Sequence, residues 1–288
     1  MLESLPKITV VTPSYNQAQF LEQTILSVIG QNYPNLEYIL MDGGSNDGSI
    51  EIIKKYEQHF TYWQSQKDNG QGAAINAGFE KSTGDILCWL NSDDMYMPGI
   101  LLKIGSIFSN ITDPAIVFGN CLHLYEHHSK ARGSDVERDS KHLLLELCDY
   151  IIQPSTFWNK QAWQKNGNLN ESFHYVFDWE WFIRAKRADI KFSALNEYLS
   201  VYRIHEAHKT GSGGEKRSEE LAKIYSMYSG ERMEKAFVKW NKFNTRYKWF
   251  HNLVFLSNRY NLNFIGGIVW LFFLPSIRFK EYKNITRM

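Results

Sequence analysis

The chain has 288 residues, 43% hydrophobic and 15% aromatic, enough to bury a large core as one big domain or a domain with an appendage. A net charge of +1 gives no global basic field of the kind that draws nucleic acid, and three scattered cysteines (Cys88, Cys121, Cys148) form neither a disulfide framework nor a zinc pattern, so a reducing cytoplasm is the expected setting. The charge is uneven: from Gly230 onward 11 basic and 3 acidic residues give +8, which leaves −7 on the body and points to an anionic surface partner for the tail, such as a membrane.

Lys7–Thr12 is a β-branched run and predicts the first strand. Leu21, Ile25, Val28 and Ile29 then recur at helical spacing. Leu36–Met41 predicts the second strand, Ile50–Tyr56 a helix, Thr61–Gln64 a third strand, Gln71–Lys81 a helix and Asp85–Leu90 a fourth strand. This alternation predicts an α/β fold, a mainly parallel, Rossmann-like sheet flanked by helices. Past Pro98 the pattern loosens. It gives a helix at Gly99–Ser109, a strand at Ala115–Leu124, a mobile polar loop over 123–140 and a short helix at Leu143–Cys148. A strand at Ser155–Trp158, a helix at Trp179–Ala188 and a strand at Lys191–Tyr202 follow. His205–Lys216 is polar and glycine-rich, a lid or linker, and from Glu219 the chain reads as aromatic, basic helices.

The fourth strand stops at Asn91-Ser92-Asp93-Asp94. Adjacent carboxylates repel, and ionising both is costly unless a cation sits beside them. Mg²⁺ and Mn²⁺ take oxygen ligands and bridge protein carboxylates to substrate phosphates. Asp, Asn and Ser also build ordinary turns, so these four residues alone leave turn and metal site as equal readings. The other strand ends break the tie. In an open parallel sheet ligands bind beyond the carboxyl ends of the strands. Here those ends carry Thr12-Pro13-Ser14-Tyr15-Asn16, Asp42-Gly43-Gly44-Ser45-Asn46-Asp47-Gly48-Ser49 and Asp68-Asn69-Gly70-Gln71-Gly72. Neither a dinucleotide Gly-x-Gly-x-x-Gly nor a P-loop is present, so carboxylates are left to read base and ribose hydroxyls while a metal neutralises phosphate.

These segments, with Asn76 and Gly78 after Asp68, resemble the family 2 glycosyltransferases of GT-A fold over roughly residues 5 to 210. The resemblance implies a metal-dependent, inverting transferase. It would move a sugar from a nucleotide-sugar, usually a uridine diphosphate sugar, to a hydroxyl of a glycan or lipid-linked acceptor. It implies a catalytic domain over 1–215, with a nucleotide-binding half at 1–97 and an acceptor-binding half at 98–215, and a helical C-terminal appendage at 216–288. Donor contacts then fall to Thr12, Pro13, Tyr15, Asn16, Asp42, Asp68, Gly70, Asn76 and Asp93, with Asp42 on the base or ribose. Mn²⁺ or Mg²⁺ falls to Asp94, with His205 of Tyr202-Arg203-Ile204-His205 completing the shell or meeting the diphosphate. Asn91 stands where most members carry the first carboxylate of a longer acidic motif. Asp94 is therefore the expected direct ligand, and Asp93 the ribose or sugar contact.

Phe177-Asp178-Trp179-Glu180-Trp181-Phe182-Ile183-Arg184 resembles the family's base-carrying segment. Residues two apart on a helix point about 200° apart, so Asp178 and Glu180 cannot both face the donor. Glu180 sits i, i+4 to Arg184, an ordinary helix pair. Asp178 opens the helix and is the expected base, a plain N-cap being its other reading. Gln153, in Gln153-Pro154-Ser155-Thr156, resembles an acceptor-side segment, against a turn into a strand. Arg203 is placed to pair with phosphate, and Gly211–Gly214 to close over bound donor.

In the tail Phe237, Trp240, Phe243, Tyr247, Phe250, Leu253 and Val254 recur at helical spacing, with Lys239, Lys242, Arg246 and Lys248 interleaved. Two readings stay open: an interfacial helix on the inner face of a membrane, or an appendage packed on the catalytic domain or on a homodimer partner. The start of the chain lacks a signal peptide's basic and apolar regions, and the longest apolar run, Phe264–Leu274, is shorter than the roughly 20 residues that span a bilayer. A nucleotidyltransferase would want a basic loop after the first strand, and Thr12–Asn16 has none. An inactive nucleotide-sugar-binding relative would not need Asp93, Asp94 and Asp178 together.

Overall fold

The computed structural model describes residues 5–125, 131–205, 209, 213–246, 267, 270–271, 274 and 276–285. The chain forms two compact units, Met1–Glu137 with Ile151–His208, and Arg138–Tyr150 with Lys209–Met288. This differs from the expected division at 215/216: the break falls after His208, and a segment from the middle of the chain belongs to the C-terminal unit.

In the first unit, β1 (Ile8–Ser14) is buried at every position, as a strand covered on both faces must be. β2 (Leu36–Asp42) and β4 (Ile86–Trp89) flank it in parallel, and β3 (Tyr62–Ser65) lies outside β2. α1 (Ala18–Ile29) sets Leu21, Ile25 and Val28 against Ile8, Val10 and Leu40, joined by Ile53 of α2 (Ser49–Lys55). α3 (Gln71–Glu80) covers the other face. There Val11, the next residue along β1, comes so close to Gly78 that a Cβ would lie 2.6 Å from its Cγ1. The strand order β3-β2-β1-β4 explains the two faces. The chain steps one way from β1 to β2 and β3, then back past β1 to β4, and right-handed crossovers put the two sets of helices on opposite sides. The crevice between the ends of β1 and β4 is thus the switch point at which such sheets bind ligands.

The sheet continues β4-β8-β6-β9-β5, with β7 beside β6. Its later elements are β5 (Met95–Tyr96), α4 (Ile100–Phe108), β6 (Ala115–Tyr125), β7 (Ala131–Gly133), α5 (Val136–His142), β8 (Thr156–Asn159), α6 (Lys160–Asn166), α7 (Phe177–Arg187) and β9 (Lys191–Ile204). β6 and β9 pair in parallel, whereas β5, β7 and β8 run against their neighbours. The sheet is therefore mostly parallel and mixed beyond β4. An aromatic layer fixes α7: Trp158 and Trp181 have centroids 4.9 Å apart, and Phe79 of α3 meets Trp163 of α6 at 4.6 Å.

Several elements depart from expectation. The polar stretch 123–140 holds the end of β6, β7 and α5, with 126–130 outside the described residues. The short helix expected at Leu143–Cys148 is a set of turns, because Leu144 N–H donates to Asn284 Oδ1 and the Leu147 carbonyl accepts from Tyr225 Oη. β5 and α6 are too short to leave a periodic pattern.

In the second unit, α8 (Gly214–Ser229), α9 (Glu231–Arg246) and α10 (Phe279–Ile285) pack together. Met233, Ala236, Phe237 and Trp240 of α9 are buried, with Phe237 against Tyr225 at 4.9 Å and Trp240 against Tyr282 at 6.3 Å. The apolar stripe, left open between membrane and packed readings, is thus taken up inside its own unit over these turns. Tyr247, Phe250, Leu253 and Val254 lie outside the described residues, as do Gly211 and Ser212 of the expected lid. No helix among the described residues is long and apolar enough to cross a membrane.

Candidate active site

The parallel register aligns Ser14, Asp42 and Ser65 at the carboxyl edge of β1, β2 and β3. Asp42 is 1% exposed. Its Oδ2 accepts from Gly44 N–H, Ser45 N–H and Ser65 Oγ at 3.1, 2.9 and 2.6 Å, and its Oδ1 from Ser45 Oγ at 2.5 Å. A carboxylate offers about four acceptor positions, two on each oxygen, so the loop saturates Oδ2 and takes one position on Oδ1. Asp42 therefore shapes the loop rather than reaching out to a base. The same correction applies to Thr12, fully buried with Oγ1 3.2 Å from Tyr38 Oη, and to Asn76. The Asn76 amide donates to Leu169 O and Glu171 Oε1 and accepts from Leu169 N–H, so it braces the loop ahead of α7.

Other donor-side candidates do face outward. Tyr15 is 63% exposed. Gly43 lies between Tyr15 and Asp68: a Cβ there would sit 3.0 Å from Asp68 Oδ2 and 3.3 Å from Tyr15 Cδ2, so glycine permits their approach. Asn16 takes a left-handed φ of 50°, which asparagine tolerates. It donates its N–H to Ser45 Oγ and accepts from Asn46 N–H, locking the β1 and β2 loops together. Pro13 is buried in β1, and Gly70, at φ 108°, precedes α3 with its N–H on Asp68 Oδ1 at 2.7 Å. A cavity of about 170 Å³ lies beside this edge, lined by Asp42, Gln64, Lys67, Asp68 and Ala74 among others.

The acidic turn after β4 is held from α1 and β9. Thr24 Oγ1 reaches the carbonyls of Ser92 and Asp94 at 2.9 and 2.7 Å. Arg203 stacks over Phe20 at 4.6 Å and donates to Asp93 O and Gln23 Oε1. It is a clamp on the turn, not the phosphate contact expected. Asp94 is 0% exposed; its Oδ1 accepts from Arg203 N–H at 3.1 Å and its Oδ2 from Asn91 Nδ2 at 3.3 Å. Burial, with the Asp93 charge adding to it, pushes Asp94 well above the usual carboxylate range, against the pull of those two donors. Asp93 has its side chain 18% exposed, and its Oδ2 lies 3.1 Å from His205 Nε2. The His205 ring rests on Phe20 at 4.4 Å.

The expected division gives Asp94 to the cation and Asp93 to the ribose or sugar, and the geometry leaves Asp93 the more exposed carboxylate of the two. Asp94 is enclosed and committed, whereas Asp93 is part-exposed beside the buried His205 ring. The Asp93–His205 separation suits two adjacent ligand atoms of an octahedral cation, about 3.0 Å apart for bonds of about 2.1 Å. No described cluster of three or more His, Cys, Asp or Glu side chains makes an all-protein cage. A carboxylate with substrate phosphates and water filling the rest is the arrangement Mg²⁺ favours, and the imidazole nitrogen of His205 departs from its all-oxygen preference.

α7 brings up the acceptor side. Phe177 packs on Trp89 at 6.2 Å and beside Gly72, where a Cβ would lie 3.9 Å from its Cγ. The start of α7 is thus seated against the end of β4 and the first turn of α3. Asp178, half-buried in the first turn, accepts from Trp179 N–H at 2.9 Å. Glu180, 2% exposed, pairs with Arg184 at 3.1 Å and is turned away into the fold. Gln153 is buried, accepts from Asn91 Nδ2 and donates to Trp89 O. Sequence reasoning missed Phe20, Gln23 and Thr24, since nothing in a helical apolar pattern marks the few positions that grip a distant turn.

Known proteins carry the same plan. Residues 9–122 match the family model described as glycosyl transferase family 2. An uncharacterized glycosyltransferase of Nostoc sp. is 29% identical over 230 residues, 75% of this chain and 70% of the relative. The GalNAc(5)-diNAcBac-PP-undecaprenol beta-1,3-glucosyltransferase of Campylobacter jejuni is 26% identical over 181 residues, 59% of this chain and 57% of the relative. Among solved structures, S. aureus TarS 1-349 in complex with UDP-GlcNAc superposes with a TM-score of 0.62 at 16% identity, over 79% of this chain and 66% of that one. The mannosyltransferase PcManGT from Pyrobaculum calidifontis, in complex with GDP-Man and Mn²⁺, gives 0.60 at 14% identity, over 77% and 64%. At such identities the likeness shows the fold, and the chain spans about two thirds of the length of both structures. A mostly parallel sheet with an acidic turn at its switch point is the GT-A fold. Residues 9–122 of this chain, less than half of it, are similar to glycosyl transferase family 2, and the sheet they belong to has that fold.

Proposed function

We propose that the protein transfers one sugar from a nucleoside-diphosphate sugar to an acceptor hydroxyl, with inversion at the anomeric carbon, in polysaccharide or glycoconjugate assembly. The observation that carries this reading is the placement of Asp93 with His205 at the β1/β4 switch point, with Asp178 seated beside the same strand end through Phe177. Tyr15 and Asp68, held apart only by Gly43, form the slot for the base, and uridine is the first nucleoside to test. Asp93 and His205 would hold Mn²⁺ or Mg²⁺, which when bound neutralises the departing diphosphate. Asp178 accepts the proton of the attacking hydroxyl from the face opposite the leaving group. The lipid-linked acceptor named for the Campylobacter jejuni relative supports an acceptor of that class. The basic solvent side of α9 would suit work at the inner face of a membrane.

The test is nucleotide release from a panel of UDP- and GDP-sugars, with Mn²⁺ and with EDTA. Release with one donor in Mn²⁺ and its loss in EDTA is the expected result. Donor binding without release from any donor, with lipid-linked and glycan acceptors supplied, would leave an inactive nucleotide-sugar binder.

A further inference from the structure

Asn91 occupies the position at which the resembled family carries a carboxylate, and its contacts explain why an amide stands there. Gln71 Nε2, at the start of α3, donates to Asn91 Oδ1 at 2.7 Å. The two N–H groups of Asn91 Nδ2 go to Asp94 Oδ2 at 3.3 Å and to Gln153 Oε1 at 3.2 Å. Gln153 Nε2 in turn donates to the Trp89 carbonyl at 2.7 Å. A carbonyl can only accept, so Trp89 fixes the Gln153 amide with its oxygen toward residue 91. Residue 91 must then donate to Gln153, and as asparagine it also donates to Asp94 and accepts from Gln71. Among side chains of this size only asparagine does all three. Aspartate would still accept from Gln71, but it would set a lone pair against Gln153 Oε1 and put a second carboxylate beside the buried Asp94. Turning Gln153 over to relieve one contact would break its bond to Trp89.

We infer that Asn91 is a positioning residue whose amide ties the acceptor-side turn at Gln153 to the donor-side acidic turn and keeps Asp94 out of the cation shell. A carboxylate here impairs the site rather than restoring it. This rests on the reading of Asp93 and His205 as the cation ligands, and the same amide chain links α3, β4 and the Gln153 turn across the two substrate sides.

The test is Mn²⁺ binding to the full chain, followed by the electron paramagnetic resonance of free Mn²⁺ with and without UDP, for wild type, Asn91→Asp, Asn91→Ala and Gln71→Ala. Partners behind a metal ligand typically change affinity by about 10–100-fold. Asn91→Asp and Asn91→Ala are expected to weaken Mn²⁺ binding at least tenfold at temperatures where circular dichroism shows them folded, and Gln71→Ala to weaken it less. Gln71→Ala leaves both donations of Asn91 in place and keeps the inference testable if the residue 91 variants do not fold. In that case unchanged Mn²⁺ binding by Gln71→Ala would overturn it. Equal or tighter binding by folded Asn91→Asp would overturn the inference alone, as would lower melting temperatures with unchanged Mn²⁺ affinity. Failure of wild type to bind Mn²⁺ under either condition would remove the metal reading and the inference together.

Discussion

Asp93 and Asp94 are neighbours in sequence with opposite fates in the fold, and a pair of substitutions separates their roles. Asp93→Asn removes an edge-facing charge beside His205, so it should weaken Mn²⁺ binding at least tenfold and leave the melting temperature nearly unchanged. Asp94→Asn should act on the fold instead. Its amide would meet either the Arg203 N–H or the Asn91 N–H with a donor, leaving a buried contact unmade at a cost of about 1–3 kcal/mol, visible as a lower melting temperature. Equal loss of Mn²⁺ affinity in both would contradict this division. For Asp178, removing a general base costs about 10²–10⁴-fold in rate, so Asp178→Asn should keep donor affinity within about twofold and lose transfer by that factor. Near-normal transfer by this variant would remove Asp178 as the base. Which residues to change was visible in the motifs. Which of two adjacent carboxylates faces out was not, because it depends on Arg203 and Thr24, far away in sequence, gripping the turn.

Elements carry the site as well as residues. β2 is tied to its neighbours by Glu37, which accepts from Thr9 Oγ1 at 2.5 Å and from Thr83 N–H and Oγ1 at 2.7 and 2.6 Å. Burial alone would raise its pKa, but the Thr83 and Thr9 donors overcome that and hold it below its ordinary 4.5. The folded state therefore binds this proton less readily than the unfolded chain. Its contribution is complete above about pH 4.5 and is lost as pH falls through the folded value. Glu37→Gln should lower the melting temperature at pH 7, and the gap to wild type should shrink on acidification below about pH 4.5. A gap constant down to pH 3 would show that the charge is not involved. On the opposite face, α3 approaches β1 at Gly78, where an added methyl would strike Val11. Gly78→Ala should cost about 1–3 kcal/mol through overpacking, despite alanine's better helix propensity. Thermal unfolding would show the sign at once. The alternation of strand and helix up to β4 was legible because each element buries one period-specific face. β5, β7 and α6 were not, being two to seven residues long, the strands held by pairing and α6 by the packing of Trp163 rather than by pattern.

At the scale of the molecule, two units answer to different sequence signals. In the C-terminal unit the apolar stripe of α9 is spent on internal packing, while Lys235, Lys239, Lys242 and Arg246 point to solvent. Attachment to a membrane through these turns would then be electrostatic. Binding to vesicles of phosphatidylglycerol and phosphatidylcholine should fall steeply as salt rises and be reduced by Lys239→Glu with Lys242→Glu, because headgroup attraction is screened within a Debye length. Salt-independent binding would point to apolar insertion elsewhere in the chain. The sequence by itself determined the class of fold, the edge of the sheet that holds the site and the residues gathered there, since strand ends and turn chemistry are local properties. The tertiary structure alone decided what each of those residues does. Asp42, Asn76, Asp94 and Arg203 became supports, Asp93 the part-exposed carboxylate beside a buried His205, and Asn91 a connector, because a polar group's role is set by which distant donors and acceptors surround it once the chain is folded.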